Sequence, residues 1–204
     1  MKTLIIARHG NTFGPGDTPT RVGARTDLPL VEKGREQARA LGLYLKAQTL
    51  VPETVYASPL LRTQETAQLA LEACGARVYV QTLEFLREID YGPDENQTEE
   101  AVVARIGLEA IRRWNEEAVV PSGWLANPEN IKDCWLSLAQ DIEKNDKNII
   151  LVVTSNGIAR FAPVLTGDFE SFRRNHSLKL RTGAMGIFLF DGQSRKVSAW
   201  DVRP

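Results

Sequence analysis

Unbroken apolar runs recur along the chain, and between them apolar residues return every third or fourth position. "TLIIA" (3–7) and "IILVV" (149–153) are continuous, as strands buried on both faces of a parallel sheet must be. "ETVYAS" (53–58) and the alternating "RVYVQ" (77–81) predict two further strands. Between Glu32 and Gln48, Ala38, Leu41 and Leu45 share one helical face, and Ala67, Leu71 and Cys74 do the same in the segment from Ser58 to Cys74. That second helix is expected to begin with Ser58 as its N-cap and Pro59 at its first position. More helices are expected over 131–144 and after Gly157, and "MGIFLFDGQSRKVSAWDV" (185–202) reads as a hairpin turning at Asp191-Gly192.

Strand and helix in this alternation predict an α/β fold: a three-layer sandwich whose central sheet is mostly parallel, with helices on both faces. Residues 84–130 interrupt the rhythm with acidic "PDENQTEE", a helix through Ile111 and Trp114, and irregular "VVPSGWLANPEN". They predict an inserted, lid-like cap segment within a single domain spanning 1–204. "NTFGPGDTPTRVGARTDLPL" (11–30) fits neither period and is expected to be a long loop, a feature that in compact domains usually serves function.

With 204 residues, 43% of them hydrophobic, the chain can bury a full core. Its 25 basic and 26 acidic residues leave a net charge of -1, which excludes a global basic field for nucleic acid or an anionic membrane. Any anion site must therefore be local. Cys74 and Cys134 lack metal-ligand spacing and read as buried or half-buried thiols. No cluster of His, Cys and Asp predicts a metal, and no cofactor is expected. The first apolar run is too short for a signal-peptide core and no run has the length of a membrane span, so a soluble cytoplasmic protein is expected. Neither "GxGxxG" nor "GxxxxGK[ST]" follows any strand, which weighs against a nucleotide-binding protein. Nothing in the chain sets an oligomeric state.

Candidate chemistry sits at the strand tips. Arg8, His9 and Gly10 follow directly on the first buried run. A guanidinium beside an imidazole is expensive at a strand end unless an anion compensates it. Arginine offers a rigid fork of donors for phosphate oxygens, histidine with a pKa near ~6.5 can be a neutral nucleophile, and glycine admits close backbone approach. Arg62 lies in the first turn of a helix, where the dipole disfavours a cation unless an anion is present.

Taken in order, "RHGNT", "DLPLVEKGREQA" and "SPLLRTQETA" resemble the histidine phosphatase superfamily, in its phosphoglycerate-mutase-like branch, over most of the chain. The resemblance places the family's nucleophile at His9, its two phosphate-binding arginines at Arg8 and Arg62, and, through "LREIDYG", its general acid at Glu88. It implies a small phosphorylated substrate and a phosphohistidine intermediate, in a reaction that needs mainly positioning and charge stabilisation.

The chain departs from the family pattern at "VVTSNGIAR", where Ser155 takes the place of the second histidine and Asn156 that of the next glycine. The other histidine, His176, could fill that place only if its loop folds back over the site. Ser155 and Asn156 are expected to donate neutral hydrogen bonds to the phosphoryl oxygens, and could equally cap the helix that follows. Val31 stands where the family commonly has a helix-capping threonine, and "GPDEN" (92–96) replaces a tryptophan-containing turn of the mutases, which argues against mutase-like substrate handling. Arg21, Arg25 and Arg87 are expected at the mouth of the site. Two functions are left open: a phosphomonoesterase of weak or altered activity, or an inactive phosphate-binding, regulatory pseudophosphatase on the same fold.

Overall fold

Residue parity along the strands sorts the core into two halves. In the computed structural model, which describes residues 1–204, six strands form one sheet in the order β3-β2-β4-β1-β5-β6. They are β1 (Lys2–Arg8), β2 (Thr54–Ala57), β3 (Val80–Thr82), β4 (Ile149–Thr154), β5 (Met185–Phe190) and β6 (Arg195–Val202). Leu4, Ile6, Ile150, Val152, Phe188 and Phe190 face one side. Ile5, Ala7, Leu151, Val153, Met185 and Ile187 face the other. Both faces are thus apolar in the two central runs, which is why those runs do not alternate in sequence.

The second face is covered by α1 (Glu32–Ala47) and α2 (Leu61–Cys74), through Leu41, Leu45, Ala67, Leu71 and Cys74. The first face carries α3 (Glu99–Ile106), α4 (Leu108–Glu117), α5 (Pro128–Lys144), the short α6 (Asn156–Ala159) and α7 (Phe169–Asn175). Its cluster draws Val102, Ile111 and Trp114 into contact with Trp135 and Phe161, so the 84–130 segment is anchored in the core by buried side chains. The fold is α/β, with β1, β2, β3 and β4 parallel and β5 and β6 antiparallel. No helix is long and apolar enough to cross a membrane, and both cysteines are free.

Two expected elements are corrected. The strand at 77–81 shrinks to Val80–Thr82, because β2 offers it only Val55, Tyr56 and Ala57 to pair with. Helix α2 begins at Leu61, and neither Ser58 nor Pro59 opens it. Ser58 Oγ instead meets Thr63 Oγ1 at 2.6 Å and accepts the Leu60 N–H, buried beneath the turn. The helix start is capped from outside by Asp27, whose carboxylate accepts the Leu61 N–H at 2.8 Å. The anion expected at this dipole end is therefore supplied by the chain itself.

Val31 is the N-cap of α1 and makes no side-chain cap bond. Val31→Thr is expected to stabilise the protein by about 1 kcal/mol, the usual worth of a capping hydroxyl. A higher urea midpoint with an unchanged denaturant slope would show it.

Candidate functional site

The parallel pairing of β1 and β4 brings two strand tips together. Arg8 stands in register with Thr154, and the pairing continues as His9 donates its N–H to the Thr154 carbonyl at 3.1 Å. Position 155 is thereby carried to the strand end beside His9. Gly10 then turns away, and here the expectation is corrected. The bare backbone of Gly10 meets the backbone of Gly34, where a Cβ would lie 2.3 Å from the Gly34 carbonyl. It packs the strand tip onto the start of α1 and not onto a ligand.

His9 is buried, and its Nδ1 lies 2.8 Å from the Gly10 carbonyl. A carbonyl can only accept, so Nδ1 holds the proton and Nε2 keeps its lone pair. Burial, then the charges of Arg62 and Arg8, hold the imidazole well below its usual 6.5, outweighing the Gly10 bond that favours protonation. The ring is neutral at neutral pH, with a nucleophilic nitrogen free of any protein partner.

Arg62 is fully buried and donates to the carbonyls of Thr26 at 2.9 Å and Gly23 at 3.2 Å, while its Nε has no acceptor. Arg8 donates to the Leu180 carbonyl at 2.8 Å and likewise leaves Nε unpaired. Burial pulls both below the usual guanidinium range, partly opposed by Glu88. Neither forms a salt bridge. Two charges desolvated without a contacting carboxylate are a standing demand for an anion.

Glu88 is buried and takes the N–H of Ile89 at 2.9 Å and of Gly157 at 3.1 Å. A Cβ on Gly157 would fall 2.1 Å from its Oε1. Gly157→Ala must therefore displace the carboxylate. Misplacing a reacting group by about 1 Å can lower rates about 10²-fold, so kcat of that variant is expected to fall on that scale if Glu88 transfers the proton. Circular dichroism would establish that the fold survives.

The two residues of the departing motif separate. Asn156 lines the cavity, its Oδ1 accepting the Leu180 N–H at 2.9 Å, which leaves the amide N–H groups as donors. Ser155 occupies the N-cap of α6 without capping it; its Oγ is buried and has no partner, and the residue does not line the cavity. The capping role is corrected for both side chains. His176 caps the end of α7, stacks on Phe172 at 4.5 Å between ring centres, and is exposed away from the cavity-lining residues. It leaves the position beside His9 to Ser155.

Arg8, His9, Glu88 and Asn156 open onto a cavity of about 530 Å³ whose lining also includes Arg21, Tyr91 and Arg160, whereas Arg62, expected to bind phosphate, is not among the lining residues and spends its head group on the Thr26 and Gly23 carbonyls. Of the three arginines expected at the mouth only Arg21 is there, paired with Glu99. Arg25 pairs with Asp90 and Arg87 with Glu84 on the exposed surface, each neutralised before it can reach inward. Edge-to-face aromatic contacts run Tyr91–Trp124–Trp114–Phe161 at 4.7, 5.3 and 6.1 Å, and of these Tyr91 and Trp114, both from the 84–130 segment, line the cavity. Arg21 lies 4.8 Å over Trp124 and Arg160 3.7 Å over Trp114, stacking that fixes both guanidinium planes.

Arg160 escaped the sequence reading. Its signal was its place four residues after Asn156, one helical turn on, the same face of α6. Tyr91 and Lys179 also line the cavity, and nothing in their spacing announces it.

A neutral, buried imidazole lies at the tip of a doubly covered sheet under the charges of Arg62 and Arg8, neither of which has a carboxylate partner. The chain belongs to the histidine phosphatase superfamily (branch 1), whose profile matches residues 4–203. It is similar to 2,3-bisphosphoglycerate-dependent phosphoglycerate mutase 2 of Gloeobacter violaceus, with 33% identity over 78% of this chain and 73% of that one. In fold it is similar to Bacillus stearothermophilus YhfR, with a TM-score of 0.77 at 24% identity, covering 98% of this chain and 97% of the other. A mycobacterial glucosyl-3-phosphoglycerate phosphatase in complex with VO3 has the same fold, with a TM-score of 0.78 at 19% identity over 98% and 99% of the two chains. Phosphoryl transfer of the histidine phosphatase and phosphoglycerate-mutase type is the chemistry of this class.

Proposed function

We propose that the protein is a phosphomonoesterase acting on a small phosphorylated substrate through a phosphohistidine at His9. The observation that carries this reading is the Nδ1–H bond to the Gly10 carbonyl, which leaves Nε2 of a neutral, buried imidazole beside two guanidinium groups. His9 Nε2 attacks phosphorus as the P–O ester bond breaks. The leaving oxygen takes a proton from Glu88. Water then attacks the phosphohistidine, gives its proton to the Glu88 carboxylate, and phosphate departs. Arg8 and the free Asn156 amide hold phosphoryl oxygens, and Arg62, whose charge bears on His9 though it does not line the cavity, adds positive potential.

The activity is weakened in this reading, because Ser155 stands where a second imidazole would complete the cradle. Losing one preorganised donor lowers rates by about 10²–10³. The alternative, an inactive phosphate-binding module, draws on one observation: the Ser155 hydroxyl is buried without a partner and faces no part of the cavity.

A pH profile with p-nitrophenyl phosphate separates them. His9 attacks only when neutral and its pKa lies well below 6.5, so the acid limb of kcat/KM is expected well below pH 6.5. In the window beneath 6.5 the unfolded chain takes up the proton and the folded one does not. Folding stability therefore falls as pH is lowered through that window. An acid limb at or above pH 6.5 contradicts the neutral-imidazole reading, and no turnover at any pH favours the inactive module.

A further inference from the structure

The reaction proposed above leaves the "GPDEN" turn (92–96) without a part, yet its half-buried Glu95 accepts hydrogen bonds from two segments of the site. Oε1 takes the Gly23 N–H at 3.0 Å, the Arg25 N–H at 3.0 Å and the Thr26 hydroxyl at 2.8 Å. Oε2 takes the Tyr91 N–H at 3.1 Å, three residues beyond Glu88. A carboxylate offers about four acceptor positions, and these donors fill them. Glycine at position 23 belongs to the same contact, since a Cβ there would lie 2.2 Å from Oε2.

The loop that Glu95 grips is the one that holds Arg62. Residues 23–26 turn donors toward the carboxylate and two carbonyls, those of Gly23 and Thr26, toward the guanidinium. Those two carbonyls are its whole set of acceptors, because Nε has none. The Ile89 carbonyl adds a tie from the Glu88 segment by accepting the Ala24 N–H at 3.0 Å. The backbone of Arg62 is secured separately: Thr66 Oγ1 donates to the Arg62 carbonyl at 2.7 Å and accepts the Gly10 N–H at 3.1 Å. Helix α2 is thereby locked to the residue after His9, and only the guanidinium depends on the loop.

We propose that Glu95 is a positioning residue for the nucleophile, acting through the 23–26 loop to hold the Arg62 guanidinium beside His9. The proposal deepens the reading above, in which Arg62 adds positive potential at that ring. Without the carboxylate the loop loses the acceptor for three of its donors. Its carbonyls then move, and a buried guanidinium held by nothing else moves with them. The contacts of Arg8 and Asn156 with phosphoryl oxygens do not pass through this loop.

The titration of His9 separates positioning from mere loss of charge, because the two act in opposite directions. Deleting a carboxylate removes negative charge and disfavours the imidazolium, whereas releasing Arg62 removes positive charge from beside the ring and favours it. Burial, Arg62 and Arg8 hold the ring low in that order. Glu88, Tyr91, Arg160 and Lys179, with Arg21 and its partner Glu99, share the cavity with His9 and keep their identities in every variant.

The chain has two histidines, so carbon-13 NMR of the labelled rings follows His9 and His176 separately on the full chain. In Glu95→Ala the His9 midpoint is expected to rise by about 1 pH unit or more, the low end of what a neighbouring charge does, while that of His176 stays in place. Glu95→Asp keeps the charge and shortens the reach; it is expected to raise the midpoint too, and it decides the matter if the alanine variant fails to fold in a thermal melt. Glu95→Gln keeps an acceptor oxygen for the loop and is expected to give no rise. In an Arg62→Gln background Glu95→Ala is expected to add nothing, since a residue that acts through Arg62 has no charge left to move. An unchanged or lowered His9 midpoint in the folded variants, or a rise that persists in full without the Arg62 charge, overturns the proposal. The titration needs no turnover, so a chain inactive toward every phosphoester would end the phosphomonoesterase reading and leave this test intact.

Discussion

Ser155→His is expected to raise kcat toward a simple phosphoester by about 10²–10³, the scale on which one preorganised oxyanion donor acts. The effect follows from position. The β1 and β4 tips are in register through Arg8 and Thr154, so residue 155 leaves its strand beside His9. A histidine there would add a charge-assisted donor, about twice as strong as the neutral bonds that Asn156 offers. The serine now present contributes nothing visible to stability, since its hydroxyl is buried and unpaired. The substitution thus breaks no existing hydrogen bond, and its risk is the larger ring in a closed space. Steady-state kinetics beside a thermal melt checks both. A folded variant with unchanged kcat would mean that the limit on turnover lies elsewhere than at this position.

The fold was legible for a clear physical reason. Strands buried on both faces cannot alternate, and "TLIIA" and "IILVV" show it; helices against one face must repeat every three or four residues, and Ala38, Leu41 and Leu45 show that. What stayed hidden depended on partners far away in sequence. The start of α2 was misplaced because its cap is Asp27, from a loop 34 residues earlier, while the serine and proline that look like a cap serve the turn before it. The strand at 77–81 was overlong because strand length depends on the neighbour, and β2 is short. At the site, Arg8, His9, Arg62 and Glu88 were singled out by their resemblance to a family pattern, and Arg8, His9 and Glu88 line the cavity while Arg62 does not. Arg160 was not, because its value comes from stacking on Trp114, 46 residues distant, which no local spacing encodes. Glycine misled in the same way: Gly10 lies in the motif, yet its missing side chain serves a backbone contact with Gly34.

His9→Gln is the second large effect. It removes the attacking nitrogen while keeping a polar side chain of similar size, and kcat is expected to fall by about 10⁴–10⁶, the loss seen when an enzyme is deprived of its nucleophile. Arg8 and Arg62 remain, so inorganic phosphate should still bind and raise the melting temperature in proportion to the logarithm of its concentration. Loss of turnover together with retained phosphate stabilisation assigns His9 to chemistry; loss of both would assign it to the architecture of the strand tip.

The most direct test of the account is chemical. Mixing the protein with a phosphorus-32 phosphoester and quenching in alkali, which preserves P–N bonds, should leave label on a single peptide containing Arg8 and His9, attached at Nε2 of the ring. Turnover of the same ester with no label on that peptide, or with label that persists in His9→Gln, would contradict it.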